Sequence, residues 1–254
     1  MTAVKHLLLQ GPYFDDQGLL SVSHFPLATF SSDRTAITGD AIAKLDAFAN
    51  LQQVYLTEPK HLTVLLRQLG LNNHVIRALS IKTCVLQPED LKYISKITSL
   101  DNLTFEECAG LNADTLGIIS HMPSLQRLDF GSTQIDDAAC RKLVSLPRLL
   151  ALSLRKTKVT EACAPALAEM KRLQYLNLAG TRLNDESMAQ LGALTDLDTL
   201  DITDTKITRA SMPVLERLAS HGKLRNLTVT GQIGDSALTT SQIERLRRLN
   251  VEVK

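Results

Sequence analysis

Apolar residues recur along this chain as LxxLxL runs, and each run restarts after a nearly constant interval. Starts fall at Leu27, Leu51, Ile76, Leu100, Leu125, Leu149, Leu173, Leu197, Leu224 and Leu246, at intervals of 24, 25, 24, 25, 24, 24, 24, 27 and 22 residues. In the run from Leu125, the apolar Leu125, Leu128 and Phe130 follow a strand pattern, while Gln126, Arg127 and Asp129 point the other way or lie at the strand edge. After a turn at Gly131 and Ser132, Ile135, Cys140, Leu143 and Leu146 carry the spacing of one apolar helix face. One coil is therefore a strand plus a short helix, and it buries its apolar face only when neighbours stack on it. The pattern predicts an α/β fold: a right-handed solenoid with a curved parallel sheet on the concave face and short helices on the convex face.

Position nine of the coil holds a small polar residue: Thr35, Cys84, Cys108, Thr133, Thr157, Thr181 and Thr205. There the chain turns off the strand and leaves backbone groups that need partners inside the stack, so this ladder is expected to be structural. Pro59, in TEPKHL, occupies the same position and removes a donor, which predicts a different local turn. Residues 1–26 read as an N-terminal cap or degenerate first repeat, with Val4, Leu7 and Leu9 as a strand and Leu19, Leu20 and Val22 over the end of the core. The array then runs over 27–254 as one continuous domain of about nine coils plus a terminal strand, drawn from Leu246, Leu249 and Val251. In the 27-residue coil, a helix through Leu215 and Leu218 is expected to stop at Gly222 in a left-handed cap. The segment GQIGDS at 231–236 reads as a tightened turn.

LNLAGTRLNDESMAQLGALTD and LDITDTKITRASMPVLERLAS resemble bacterial leucine-rich repeats of the LxLxxTxITDxxLxxL kind. LSIKTCVL and LTFEECAGL resemble the cysteine-containing repeats of F-box-associated proteins. The resemblance implies a scaffold whose members bind unrelated partners, so function has to be sought in the surface of this chain.

Composition narrows that search. A hydrophobic share of 44% supplies a core, and a formal net charge of +1 gives no global pull toward nucleic acid, membrane or an acidic substrate. The opening MTAVKHLLLQGPYFDDQ lacks the long apolar centre of a signal peptide. A cytoplasmic location is expected, with secretion as an effector without a cleaved signal as the alternative. Cys84, Cys108, Cys140 and Cys163 fall on interior positions with no CxxC pairing, which predicts buried free thiols, with a redox or disulfide role as the alternative, and no metal site. The six histidines are scattered, and neither a GxSxG elbow nor a GxxxxGK phosphate loop occurs, so no catalytic residues and no cofactor are expected. Aromatic residues make up 4% of the chain, too few for a base-stacking platform.

The expected function is non-catalytic binding of a partner protein on the concave face. Outward strand positions of the central coils nominate Arg127, Asp129, Arg155, Lys156, Tyr175, Asn177, Asp198 and Asp201, Tyr and Arg being frequent binding anchors. The alternative is a regulator of an enzyme: an inhibitor, an immunity-type protein or a GTPase activator supplying Arg155 or Arg182. Lys158, Arg182 and Lys206 line up at position ten of three coils, either paired locally with acids such as Glu161 and Asp185 or forming a rim for an acidic partner. A monomer is expected, with an end-to-end dimer through residues 249–253 as the competing state.

Overall fold

A computed structural model describes residues 4–22, 24–38, 41, 50–72, 75–230 and 237–254. The turn expected at 231–236 lies outside them. Two compact units divide the chain, Met1–Leu125 and Gln126–Lys254.

The first unit stacks five parallel strands: β1 (His6–Gln10), β2 (Thr29–Asp33), β3 (Gln53–Thr57), β4 (Ala78–Lys82) and β5 (Asn102–Glu106). Its helices are α1 (Asp16–Ser21), α2 (Leu62–Asn72), α3 (Pro88–Ser95) and α4 (Ala113–Ile119). The second unit stacks β6 (Arg127–Asp129), β7 (Ala151–Ser153), β8 (Tyr175–Asn177), β9 (Thr199–Asp201), β10 (Asn226–Thr228) and β11 (Glu252–Val253) in that order, again parallel. Its helices are α5 (Asp137–Lys142), α6 (Ala164–Glu169), α7 (Asp185–Leu191), α8 (Met212–Ser220) and α9 (Thr240–Arg248). Within each unit the strands are parallel to their neighbours, and wherever the connection between them is described it carries a helix, the geometry of a right-handed α/β solenoid.

Register follows the apolar pattern. Leu128, Leu152, Leu176, Leu200 and Leu227 lie side by side across β6–β10, all buried. Phe30, Val54, Leu79 and Leu103 do the same across β2–β5. In the N-terminal segment, β1 pairs with β2, and Leu9 and Leu19 are buried.

The turn off each strand repeats as closely as the strand does. Position eight adopts left-handed backbone in eight coils, at Arg34, Glu58, Thr83, Glu107, Ser132, Lys156, Gly180 and Asp204, with φ between 45° and 70°. The position-nine hydroxyl closes that turn: Thr133, Thr157, Thr181 and Thr205 donate to the carbonyls of Phe130, Leu154, Leu178 and Ile202 at 2.6–2.8 Å. Thr35 instead shares a 2.6 Å hydrogen bond with buried Ser32. Where Pro59 replaces the hydroxyl, a second left-handed residue, His61, leads directly into α2.

In four coils of the second unit the helical segment starts at a side-chain cap in position twelve. Asp136, Asn184 and Thr208 accept backbone N–H groups of the following turn, as does Thr160 from Ala162. Two of these caps also tie coil to coil. The Asp137 carboxylate accepts the backbone N–H and the hydroxyl of Thr160 at 2.8 and 2.7 Å, and Asp185 accepts those of Thr208 at the same distances. Asp16 holds Thr38 in the same way in the first unit.

Burial alone would raise the Asp185 carboxyl, but hydrogen bonds from Ser211 and Thr208 hold it below its ordinary value. The folded pKa then lies under the unfolded one, about 3.9 for Asp, so this stabilisation is complete above that value. It is lost as pH falls through the folded pKa. Thr208→Val is expected to cost about 1 kcal/mol near neutral pH, read from urea midpoints. The gap to the parent protein should narrow below about pH 4 as the carboxylate protonates, leaving the pH-independent loss of the Thr208 cap to Ala210 N–H, whereas a gap that does not narrow would exclude an ionised Asp185.

Four expectations change. Leu246 does not open a strand: it is buried on α9, which Thr239 and Gln242 start with a reciprocal cap, and Asn250 at φ 62° ends the turn after it. The last strand is Glu252–Val253, so Val253 sits beside Leu227. Leu246 and Leu249 fit helical spacing as well as an LxxL run, and the cap decides between the two. Gly222 is not left-handed: a Cβ there would lie 2.5 Å from the Leu218 carbonyl oxygen, so glycine serves close backbone approach. Cys140 and Cys163 are not free but joined in a disulfide between successive coils, their Cα atoms 6.2 Å apart. Lys158, Arg182 and Lys206 are exposed, and none of them forms an ion pair with a carboxylate among the described residues. Asp185, nominated to neutralise Arg182, is held by Thr208 and Ser211.

Candidate functional site

Strand alternation sends the first and third residues of each of β6–β10 away from the buried leucine row, and register sorts them into rows. The first row is Arg127, Ala151, Tyr175, Thr199 and Asn226, and the second is Asp129, Ser153, Asn177, Asp201 and Thr228. Six of the eight nominated residues therefore belong to this face or its edge: Arg127 and Tyr175 in the first row, Asp129, Asn177 and Asp201 in the second, and Arg155 just beyond β7. Lys156 and Asp198 stand apart. Lys156 is the left-handed residue of the turn. Asp198 precedes β9, where its carboxylate accepts from the Thr199 hydroxyl at 2.9 Å and from the Asn226 amide at 3.2 Å.

The second row has a structural duty. Asp129, Asn177 and Asp201 each accept the N–H two residues ahead, of Gly131, Ala179 and Thr203, at 2.8, 2.9 and 3.0 Å. These short-range bonds hold the end of each strand, as Asx turns do. Between them Ser153 is buried and its hydroxyl has no partner. Arg155 lies across Gly131, where a Cβ would come within 2.8 Å of its guanidinium carbon.

The first row makes a hollow. Ala151 is small and sits between Arg127 and Tyr175, leaving a depression of about 130 Å³ lined by Gln126, Arg127, Leu150, Ala151, Gln174 and Tyr175. Its floor is aliphatic, and its rim carries two amides, a guanidinium and a phenol that is 37% exposed. No carboxylate lines it. Gln126, Leu150, Ala151 and Gln174 are absent from the eight residues nominated from the sequence, although a small residue flanked by large ones at coil position three is a legible signal.

The first unit presents a different face. Its central row is Leu8, Ser31, Tyr55, Ser80 and Thr104, with Leu8 67% and Tyr55 40% exposed and no charge. Charge returns only in the next row, where Gln10 donates to Asp33 and Lys82 pairs with Glu106 at 2.6 Å. Among the described residues, no helix is long and apolar enough to cross a membrane.

Residues 121–144, one full coil, match the family model described as Leucine Rich repeat. No curated protein matches the chain. An internalin C2 from Listeria monocytogenes is similar in structure, with a TM-score of 0.52 and 23% identity over 94% of this chain and 83% of its own. A leucine-rich repeat protein of Leptospira interrogans gives a TM-score of 0.53 and 16% identity over 93% of this chain and 62% of its own. At these identities the likeness concerns the fold, and leucine-rich repeats commonly serve protein–protein interaction. The match to one repeat length, together with the strand and left-handed turn that recur from coil to coil, shows that the chain has the leucine-rich-repeat solenoid fold.

Proposed function

We propose that the protein is a non-catalytic interaction module that binds a partner protein on the exposed strand face of its second unit. The observation that carries this reading is the hollow over Ala151, walled by Arg127 and Tyr175, which offers one partner side chain an apolar floor and polar rim. Its walls rise from paired strands, so little ordering is needed on binding. Asp129, Asn177 and Asp201 stand in the neighbouring row, polar groups already fixed by their own turns. Arg155, packed over Gly131, is a shaped part of the surface, which disfavours its use as a projecting catalytic arginine. The protein acts without cofactor, nucleic acid or membrane, as a monomer.

Filling or removing the hollow tests the reading. With a partner captured from native lysate and purified, Arg127→Ala and Tyr175→Ala are each expected to weaken binding about thirtyfold, the scale of an interface anchor. Ala151→Trp, at a half-buried surface position, should abolish binding while leaving the urea midpoint in place. Hydrogen exchange should show protection at 127–129, 151–153 and 175–177 on complex formation. Protection confined to α5–α8 would reject this face. Light scattering of the free protein checks the monomer against a dimer through 249–253.

A further inference from the structure

Two consecutive coils of the first unit replace the position-nine threonine with cysteine. The Cys84 and Cys108 sulfurs lie 3.0 Å apart. Backbone bonds lock the two turns together: Ala109 N–H donates to the Cys84 carbonyl at 2.8 Å, Leu86 N–H to the Ala109 carbonyl at 2.9 Å, and Thr83 N–H to the Glu106 carbonyl at 2.9 Å. The two backbones are thus held in register by these bonds, so the sulfurs can part only by rotation about χ1.

Their surroundings differ. Cys108 is 2% exposed, with its sulfur 3.4 Å from the carbonyl oxygens of Ile81 and Glu106. Cys84 is only half-buried, beside Val85, which is 65% exposed. In the threonine coils the position-nine group donates to its own strand, whereas the Cys84 thiol donates across to the next coil. Cys84 is therefore the less enclosed member of a preformed pair. The second unit already carries a covalent link of this kind, Cys140–Cys163, between successive coils and across 23 residues.

We propose that Cys84 and Cys108 form a covalent modification site, a thiol pair that a small-molecule disulfide of the glutathione class converts into a second inter-coil disulfide. The hydrogen-bonded pair ionises by losing one proton to solvent, and with the remaining proton on Cys108 the Cys84 thiolate attacks one sulfur of the reagent. The reagent S–S bond breaks and one thiolate leaves. The Cys108 sulfur, once deprotonated, then attacks Cys84 Sγ in the mixed disulfide, forming the Cys84–Cys108 bond and expelling the second thiolate. The two protons released by the protein are taken up by the two departing thiolates. Overall, two protein thiols are oxidised and one reagent disulfide is reduced to two thiols. The state of this pair reports the compartment: closed where small disulfides prevail, open where the glutathione pool is reducing.

The test equilibrates the full chain in glutathione mixtures from reducing to oxidising, quenches with an alkylating reagent and maps peptides without reduction. The expected product joins the Cys84 and Cys108 peptides and is two hydrogens lighter than the dithiol. Cys108→Thr places at that site the residue found at 133, 157, 181 and 205, so folding is retained, and it should stop the reaction at a glutathione adduct on Cys84. Cys84→Ser should leave Cys108 unmodified. Cys84 and Cys108 both fully alkylated in a buffer that oxidises Cys140–Cys163 would overturn the proposal. So would a Cys84 adduct in the parent chain that persists without resolving onto Cys108. Neither outcome bears on the interaction face of the second unit.

Discussion

Replacing Leu152 by Ala is expected to lower the stability of the second unit by about 2–5 kcal/mol, read as a fall in the urea midpoint with cooperativity retained. Leu152 is fully buried between Leu128 and Leu176 in the row that runs through β6–β10. A coil in such a stack is stabilised by its two neighbours, so the truncation removes packing on both sides at once. Four residues further on, Lys156 is exposed and its backbone is left-handed at φ 53°. Lys156→Ala changes neither burial nor the left-handed cost and is expected to be nearly neutral. Equal losses for the two substitutions would show that the register is wrong.

Gly110→Ala is expected to cost about 2–5 kcal/mol in the first unit, because the methyl group meets backbone and the dihedral disfavours it. Gly110 has φ +88°, and a Cβ there would lie 2.0 Å from the Leu86 carbonyl oxygen of the previous coil. No rotamer relieves that clash, since the Cβ position is fixed by the backbone of residue 110 and the oxygen belongs to the main chain of Leu86. Gly117 provides the control: it lies in α4 with nothing within 4 Å of an added Cβ. Gly117→Ala should raise stability by about 0.5–1 kcal/mol. Thermal or urea midpoints moving the same way for both would refute the close approach at Gly110.

The interaction face shows where reading a sequence for function loses resolution. Alternation within one coil nominates Arg127, Asp129, Tyr175, Asn177 and Asp201 as outward. Telling a wall of the hollow from a turn-holding side chain requires distances to Gly131, Ala179 and Thr203 on one side and to Ala151 on the other. The basic row at Lys158, Arg182 and Lys206 makes the same point. Spacing along a helix start suggests Asp185 as counter-charge, but its oxygens are engaged by the hydroxyls of the following coil, 23 and 26 residues away.

What the sequence by itself determined is the coil: a strand, a turn, a capped helix and an interval near 24 residues. These are legible because each rests on local periodicity or on a bond within a few residues, as when Thr157 reaches back to Leu154. Tertiary structure alone decided whatever spans two coils or lets two local patterns compete. Leu246 satisfies both strand and helix spacing until Thr239 and Gln242 cap α9 and β11 pairs at 252–253. The Asp137–Thr160 and Asp185–Thr208 ties, the Cys140–Cys163 bond and the 3.0 Å approach of Cys84 to Cys108 all join residues 23 or 24 apart. Their partners are set by how one coil rotates and settles on the next, a packing variable to which a single repeat read alone is blind.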